Sequence, residues 1–159
     1  MSFIVGSIYL HIITWQVFIH FRYVRLLIVA QALAKQGVQH TYGIVGTSSI
    51  IKVYLSFNWV MLSKVQALIT MVLEIKQAAY SAGYTGFLTG IPGVCLCVSG
   101  PGHTNAISGV LNAWVNAWPM ILLSGSNDLN QTSKQAFQEV DQVYLVKPYT
   151  KYSVRITCA

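Results

Sequence analysis

The sequence predicts an α/β fold: one parallel sheet flanked by helices, preceded by an irregular apolar extension. Residues 94–98 and 120–123 are continuous apolar runs of strand length, typical of strands buried on both faces of a parallel sheet. A helix-length segment, residues 103–118, lies between them and is framed by Ser-Gly-Pro-Gly and by Pro119. Strand, turn, helix and strand form a βαβ unit, the building block of such a sheet.

The elements before this unit follow the same alternation. Apolar residues recur at helical spacing over residues 26–33, and Gly37 is typical of a helix C-cap. Residues 40–46 predict a short strand that closes on glycines. A helix rich in Ala and Gly is expected over residues 77–88, and the Gly-Ile-Pro-Gly of residues 90–93 predicts a turn.

Length and composition bound the protein class. The chain has 159 residues, 54% of them hydrophobic and only 9% charged, which suits one domain and excludes intrinsic disorder. Three cysteines, two of them inside an apolar run, exclude a disulfide-stapled miniprotein. They also make no zinc site without histidines nearby, so we expect no metal ligands in this chain.

The net charge of +6 is unevenly spread. Residues 1–73 contain no acid, and the acids of the whole chain are Glu74, Asp128, Glu139 and Asp141. The cations are scattered singly, whereas a nucleic-acid site would gather them on one face. We therefore expect no nucleic-acid partner.

Residues 1–25 form the apolar extension and residues 26–159 the predicted domain. Residues 3–21 are almost uncharged and near the length of a membrane helix, but Arg22 and Arg25 follow the apolar stretch. Two interpretations stay open: a membrane anchor, and an appended extension, which we favour. Residues 57–73 have no clear period and no turn residues, so they are interpreted as an atypical insertion in the domain.

The first chemical motif is Ser-Gly-Pro-Gly-His-Thr-Asn, residues 99–105, at the carboxyl end of a predicted buried strand. Ligands bind at this edge of open α/β sheets, and glycines let the backbone approach them. A dinucleotide fingerprint is excluded, because Asn105 stands where the third glycine is required and no acid follows about 20 residues on. The alternative is a plain tight turn with Thr104 or Asn105 as helix cap.

Several motifs carry a family resemblance. They are Gln-Ala-Ala-Tyr (77–80), the glycine-rich residues 86–102, Asn-Ala-Trp-Val-Asn-Ala-Trp-Pro-Met (112–120), residues 135–142 and Lys-Pro-Tyr-Thr-Lys (147–151). Over residues 26–56 and 74–156 the chain resembles the N-terminal, pyrimidine-binding domain of thiamine diphosphate-dependent enzymes. Within that superfamily it is most similar to 2-hydroxyacyl-CoA lyase and oxalyl-CoA decarboxylase.

The resemblance implies a cofactor site and a substrate site. The residues that it implies for cofactor binding are Gly46, Gly100, Pro101, Gly102 and Asn105. Phe137 and Gln138, which we expect on a short helix, match a stretch that lines the substrate pocket in related enzymes. His103 is expected to be a solvated residue of the turn.

The resemblance also implies an activating glutamate directly before the Gln-Ala-Ala helix start. Only Glu74 could serve, as the catalytic residue. A gap-free alignment from Pro92-Gly93 puts Ile75 in that position, so the chain departs from the pattern here. The alternative for Glu74 is a solvated acid at a helix start, where the helix dipole favours it.

The implied activity is carbon–carbon lyase chemistry on an acyl-CoA, in the peroxisome or cytoplasm. Residues 1–159 contain no Gly-Asp-Gly, the motif of the diphosphate-binding domain. We therefore expect this chain to hold only the pyrimidine half of thiamine diphosphate, and Mg²⁺ to need the other domain. The expected partner is a chain carrying that domain, in a homo- or hetero-oligomer.

Three alternatives stay open. The chain could be a non-catalytic truncated product, or a regulatory module that pairs with a full-length relative through the helix carrying Trp114 and Trp118. It could also be a protein tethered to a membrane by residues 3–21.

Overall fold

A six-stranded, wholly parallel sheet forms the centre of this computed structural model, which describes residues 15–19, 29, 31–43, 69–127 and 129–156. The strands are β1 (Trp15–Ile19), β2 (His40–Gly43), β3 (Ile69–Val72), β4 (Gly93–Cys97), β5 (Met120–Gly125) and β6 (Tyr152–Ile156). Their order across the sheet is β3-β2-β4-β5-β1-β6. Every pairing between neighbours is parallel.

The helices are α1 (Ile75–Thr89), α2 (Pro101–Val115) and α3 (Gln142–Val146), with 3₁₀ turns at Leu129–Gln131 and Lys147–Tyr149. Residues 31–35 are also helical, and the chain leaves them through Gly37 in the left-handed conformation, as predicted. Helix α1 ends in the same way at Gly90, with φ of 69°.

The predicted parallel sheet and its βαβ unit are confirmed. Strands β4 and β5 pair in parallel, from Gly93 opposite Met120 to Cys97 opposite Ser124, and α2 connects them. Val94, Cys95 and Leu122 are fully buried, as expected for strands covered on both faces.

Small residues let α1 and α2 pack closely over this sheet. The buried positions of α1 are all Ala or Gly, and Ala106, Gly109 and Ala113 are buried on α2. Alanine and glycine hold the helix axes near each other because they leave no long side chain between the backbones. The residues at the carboxyl ends of β4 and β5 are therefore carried on a compact support.

Two strands correct the sequence predictions. Residues 15–19 belong to the predicted irregular extension but form β1, which pairs with both β5 and β6. Residues 69–72, the end of the predicted insertion, form the edge strand β3 against β2. Both are short, largely apolar runs without sustained alternation, a pattern that does not separate a strand from a helix or a membrane segment.

Several expectations fall on residues outside the described ones: positions 3–14, 20–21 and 57–68. The membrane-anchor interpretation therefore concerns residues of which only 15–19 are described, and these lie in the sheet. Within the described ranges, no helix is both long and apolar enough to cross a membrane. The domain boundaries themselves stay predictions.

Candidate functional site

The Gly-Pro-Gly corner lies at the carboxyl end of β4, where the strand order reverses. From β2 the chain goes on to β3 at one edge of the sheet, and from β4 it goes on to β5 in the opposite direction. The crevice between two such strands is where open α/β sheets bind ligands. The corner, residues 100–102, follows β4, one of the two strands that flank this crevice.

The corner requires glycine at position 100. Gly100 is the N-cap residue of α2, with φ of 61° and ψ of −118°. A Cβ atom there would lie 2.7 Å from the Gln138 carbonyl oxygen and 2.8 Å from the Gln138 Cβ. Only glycine accepts both this conformation and this contact. The alternative with Thr104 or Asn105 as cap is wrong, because the helix begins at Pro101.

A groove of about 740 Å³ runs between the corner and the segment of residues 132–140, called here the clamp loop. Gly100, Pro101 and Thr104 line one side of the groove. On the other side, the clamp loop contributes Ser133, Gln135, Ala136, Gln138, Glu139 and Val140. Two of the predicted cofactor residues and one predicted substrate residue therefore share one groove.

Gln138 is the most unusual side chain of the groove. Its Oε1 atom is buried and has no hydrogen-bond partner. Leaving a buried acceptor unsatisfied costs about 1–3 kcal/mol, which a ligand N–H or O–H could offset. Phe137, its neighbour, is instead 74% exposed. The short helix expected at these two residues is wrong: they form a turn in which Gln138 has φ of 58°.

The start of α1 lies next to the corner. A Cβ on Gly102 would lie 3.2 Å from the Ile75 Cδ1 and would collide with Val98. Ile75 is also packed partly against the main hydrophobic cluster. Glu74, the predicted catalytic residue, is the N-cap of α1, is exposed, and makes no side-chain capping hydrogen bond. The aliphatic side chain of Ile75, rather than a carboxylate, is thus next to Gly102.

The remaining predicted cofactor residues are more peripheral. Asn105 is exposed on the first turns of α2. Gly46 lies outside the described residues. Of the predicted set, the structure brings Gly100, Pro101 and Gln138 together, with Gly102 buried at the base of the same corner.

A buried polar network under the corner was not predicted. Gln142 Nε2 donates to Ser124 Oγ at 2.6 Å and to the Gly125 carbonyl at 3.0 Å. His103, expected to be solvated, is fully buried and hydrogen-bonds the backbone of Gln142. Burial lowers the pKa of His103 to about 4, and the Gln142 bond opposes this shift. The network ties the end of β5 and the start of α3 to the start of α2.

The cysteines of β4 are structural. Burial raises the pKa of Cys97 to about 12, and a hydrogen bond to Ser124 only partly opposes this effect. Burial, followed by the charge of Cys97, also raises the pKa of Cys95. A thiol that stays protonated is neither a nucleophile nor a metal ligand. Among the residues that the structure describes, no group of three or more His, Cys, Asp and Glu could hold a metal ion.

Glu139 orders the clamp loop from within. Its Oε1 accepts from the backbone N–H of Ser133, and its Oε2 accepts from the N–H of Ala136 at 3.0 Å. These donors, Ser133 first, hold the pKa of the Glu139 carboxyl below its ordinary value. Sequence reasoning missed this role, because an acid in a polar segment ordinarily indicates a solvated side chain.

Comparison with known proteins agrees with this geometry. The family model described as "Thiamine pyrophosphate enzyme, N-terminal TPP binding domain" matches residues 27–145. 2-Hydroxyacyl-CoA lyase 1 of Mus musculus is 39% identical over 132 residues, which are 80% of this chain and 21% of that protein. 2-Hydroxyacyl-CoA lyase of Arabidopsis thaliana is 38% identical over 130 residues, with the same coverage of 80% and 21%.

Oxalyl-CoA decarboxylase of Escherichia coli (strain K12) is 33% identical over 132 residues, 81% of this chain and 22% of that protein. The chain thus spans about a fifth of the length of the curated relatives it matches. The match covers the sheet strands β2 to β5, the Gly-Pro-Gly corner and the clamp loop. The chain belongs to the family of thiamine pyrophosphate enzyme N-terminal, TPP-binding domains.

Proposed function

We propose that this chain binds the aminopyrimidine half of thiamine diphosphate in the groove between the Gly-Pro-Gly corner and the clamp loop. The observation that carries the proposal is the groove beside the carboxyl end of β4, which is lined by Gly100 and by Gln138, whose buried Oε1 has no hydrogen-bond partner. Gln138 Oε1, an acceptor without a partner, suits the exocyclic amine of the pyrimidine as hydrogen-bond donor.

The proposed activity is carbon–carbon lyase chemistry on an acyl-CoA, which the names of the relatives support. When bound, thiamine diphosphate supplies an electron sink for such a cleavage. The groove residues would bind and orient the pyrimidine. Pro101 and Thr104 would border it on the α2 side, and the clamp loop would shield it from water on the other.

We propose that the diphosphate and Mg²⁺ are held by a separate diphosphate-binding domain. The four acids of the sequence and the missing Gly-Asp-Gly support this division. Hard cations such as Mg²⁺ take carboxylate and phosphate oxygens as ligands. That domain would come from another chain or from a longer form of this polypeptide.

The proposed contact surface for this partner is the outer face of α1 and α2. Tyr84 and Phe87 of α1 form an aromatic cluster with Trp118, and the Phe87 and Trp118 ring centres are 5.1 Å apart. The prediction that Trp118 lies on a helix is wrong, because α2 ends at Val115. Leu88 of α1 and Val115 of α2 are further exposed apolar side chains of these helices, at 71% and 68%. An exposed apolar patch of this kind is typical of a protein interface.

A second candidate function, a non-catalytic binding or pairing module, is favoured by the packing of Ile75 beside Gly102. An aliphatic side chain at this point offers no proton to the ring and accepts none. Glu74, on the adjacent N-cap position, would have to reach the ring from its exposed site to serve as activator. Peroxisomal or cytoplasmic residence also stays a prediction.

Titration of the isolated chain with thiamine and with thiamine diphosphate plus Mg²⁺ tests the proposal. Because only the pyrimidine half is recognised here, we expect both ligands to bind weakly and with similar affinity by calorimetry or ligand-observed NMR. Micromolar affinity that depends on the diphosphate and Mg²⁺ would contradict the proposed division. If neither ligand binds, the proposal that the pyrimidine occupies this groove is contradicted.

A further inference from the structure

The clamp loop has a strained backbone for which its own sequence gives no reason. Ser133, Gln135 and Gln138 all have positive φ, of 64°, 54° and 58°. Such conformations cost non-glycine residues of order 1–2 kcal/mol each and persist only where surrounding contacts dictate them. None of these residues is glycine, so contacts with other residues must hold the loop in this conformation.

Several of the contacts that hold it converge on one carboxylate. Both oxygens of Glu139 receive backbone N–H groups, one from Ser133 and one from Ala136. The Glu139 N–H in turn donates to the Ala136 carbonyl at 3.0 Å. A carboxylate that accepts two N–H groups closes the chain on itself, because each bond fixes one point of the loop. This closure spans residues 133–139.

The closed loop then sets the position of Gln138. Directly before Glu139 in the chain, Gln138 lies with its carbonyl and Cα against Gly100, within 3 Å of where a Cβ would stand. The chain just after the loop is anchored separately, since Gln142 at the start of α3 donates to Ser124 and Gly125. The Asn127 side chain adds a bond to the Phe137 carbonyl at 3.0 Å.

We propose that Glu139 is a positioning residue that holds Gln138 against Gly100 and so shapes the wall of the cofactor groove. The effect of Glu139 on cofactor binding rests on the proposed function, but its effect on the position of Gln138 does not. Glu139 also lines the groove, but in this role it acts through the backbone of Ser133 and Ala136 and not by touching a ligand. Loss of the carboxylate releases the left-handed residues, and Gln138 moves away from the corner.

The test compares Glu139→Ala and Glu139→Gln with Asp141→Asn. Glutamine keeps one acceptor oxygen, so its variant should retain part of the closure. Asp141→Asn removes the same unit of charge two residues away and keeps the oxygen that accepts from Tyr144. It therefore separates the electrostatic effect of a lost charge from the effect of lost hydrogen bonds.

Two readouts need no ligand: the Cα and Cβ chemical shifts of Gln138, which report its φ, and the rate of tryptic cleavage after Lys134. We expect Glu139→Ala to move the Gln138 shifts and to speed cleavage by about tenfold or more. Glu139→Gln should be intermediate, and Asp141→Asn should match the wild type. Unchanged Gln138 shifts and cleavage in Glu139→Ala would overturn the proposal, as would equal effects of Asp141→Asn.

Thiamine affinity is the third readout. We expect Glu139→Ala to weaken thiamine binding by about tenfold, with partial retention in Glu139→Gln. If the loop opens and thiamine affinity stays at the wild-type value, Glu139 does not shape the groove wall and the proposal is overturned. If the wild type itself binds no thiamine while the Gln138 shifts still move, the proposed function fails and the positioning of Gln138 by Glu139 is supported.

Discussion

Gly100 and Gln138 are in such close contact that a Cβ atom at position 100 would lie 2.9 Å or less from the Gln138 Cα, Cβ and carbonyl oxygen. One residue follows the carboxyl end of β4, and the other lies in the clamp loop 38 positions later. The contact joins the two sides of the groove. The shape of the proposed cofactor site therefore depends on a residue without a side chain.

Gly100→Ala should destabilise the protein by about 3 kcal/mol or more, because it adds a strained backbone conformation and a clash with Gln138. Gly90→Ala is the matched control. Gly90 also has positive φ, at 69°, but nothing lies within 4 Å of its Cβ position. The control should lose only about 1–2 kcal/mol in urea unfolding. Equal losses for the two variants would show that the Gln138 contact is unimportant.

Burial of His103 predicts a pH-dependent stability. The pKa of this imidazole is about 4 in the folded protein, against an ordinary value of 6.5, so the unfolded chain takes up a proton first as the pH falls. The contribution of neutral His103 to the free energy of unfolding is fully present above pH 6.5. It decreases by about 3 kcal/mol as the pH falls to 4. In His103→Gln, which cannot titrate, the unfolding free energy should fall less over this range. Parallel pH profiles for the two proteins would contradict the buried neutral imidazole.

The two cysteines of β4 should be unreactive in the folded protein. Both thiols are buried and have raised pKa values, about 12 for Cys97, so almost no thiolate forms at pH 8. Iodoacetamide followed by digestion and mass spectrometry should find Cys95 and Cys97 unmodified until denaturant is added. Rapid alkylation of either residue under native conditions would show that β4 is open to solvent.

Charges on the outer face of α1 and α2 should block pairing with a partner. Leu88→Lys and Val115→Lys replace exposed apolar side chains, so unfolding free energies should change by only about 0.5 kcal/mol. Co-purification with a 2-hydroxyacyl-CoA lyase carrying a diphosphate-binding domain should be lost. Tyr144→Lys, at a 73% exposed position of α3, is the control and should leave pairing intact. If the Leu88→Lys and Val115→Lys variants still pair with the partner, this face is not the contact surface.

The sequence predicted those elements whose boundaries are marked by nearby residues. The β4–α2–β5 unit was predictable because Gly, Pro and two strand-length apolar runs mark its boundaries locally. Strands β1 and β3 were not, because Trp15–Ile19 and Ile69–Val72 are paired by distant parts of the chain. A short apolar run has the same appearance in a strand, a buried helix or a membrane segment.

The site divides in the same way. Gly100, Pro101 and Gly102 were predictable from their motif and from the position of ligands in α/β sheets. The burial of His103 and the closure of the clamp loop by Glu139 were not, because each depends on contacts across the fold. The gap-free alignment indicates Ile75 at the position of the activating glutamate, but its proximity to Gly102 depends on the folded structure.

The most direct test of the central claim is an NMR titration of the ¹⁵N-labelled chain with thiamine. We expect shifts confined to the backbone amides of Gly100, Gly102 and Thr104 and to the side-chain amide of Gln138. Shifts that instead gather in the cavity beside Arg155 and Asn127, or no shifts at all at millimolar thiamine, would contradict the claim that this groove holds the pyrimidine.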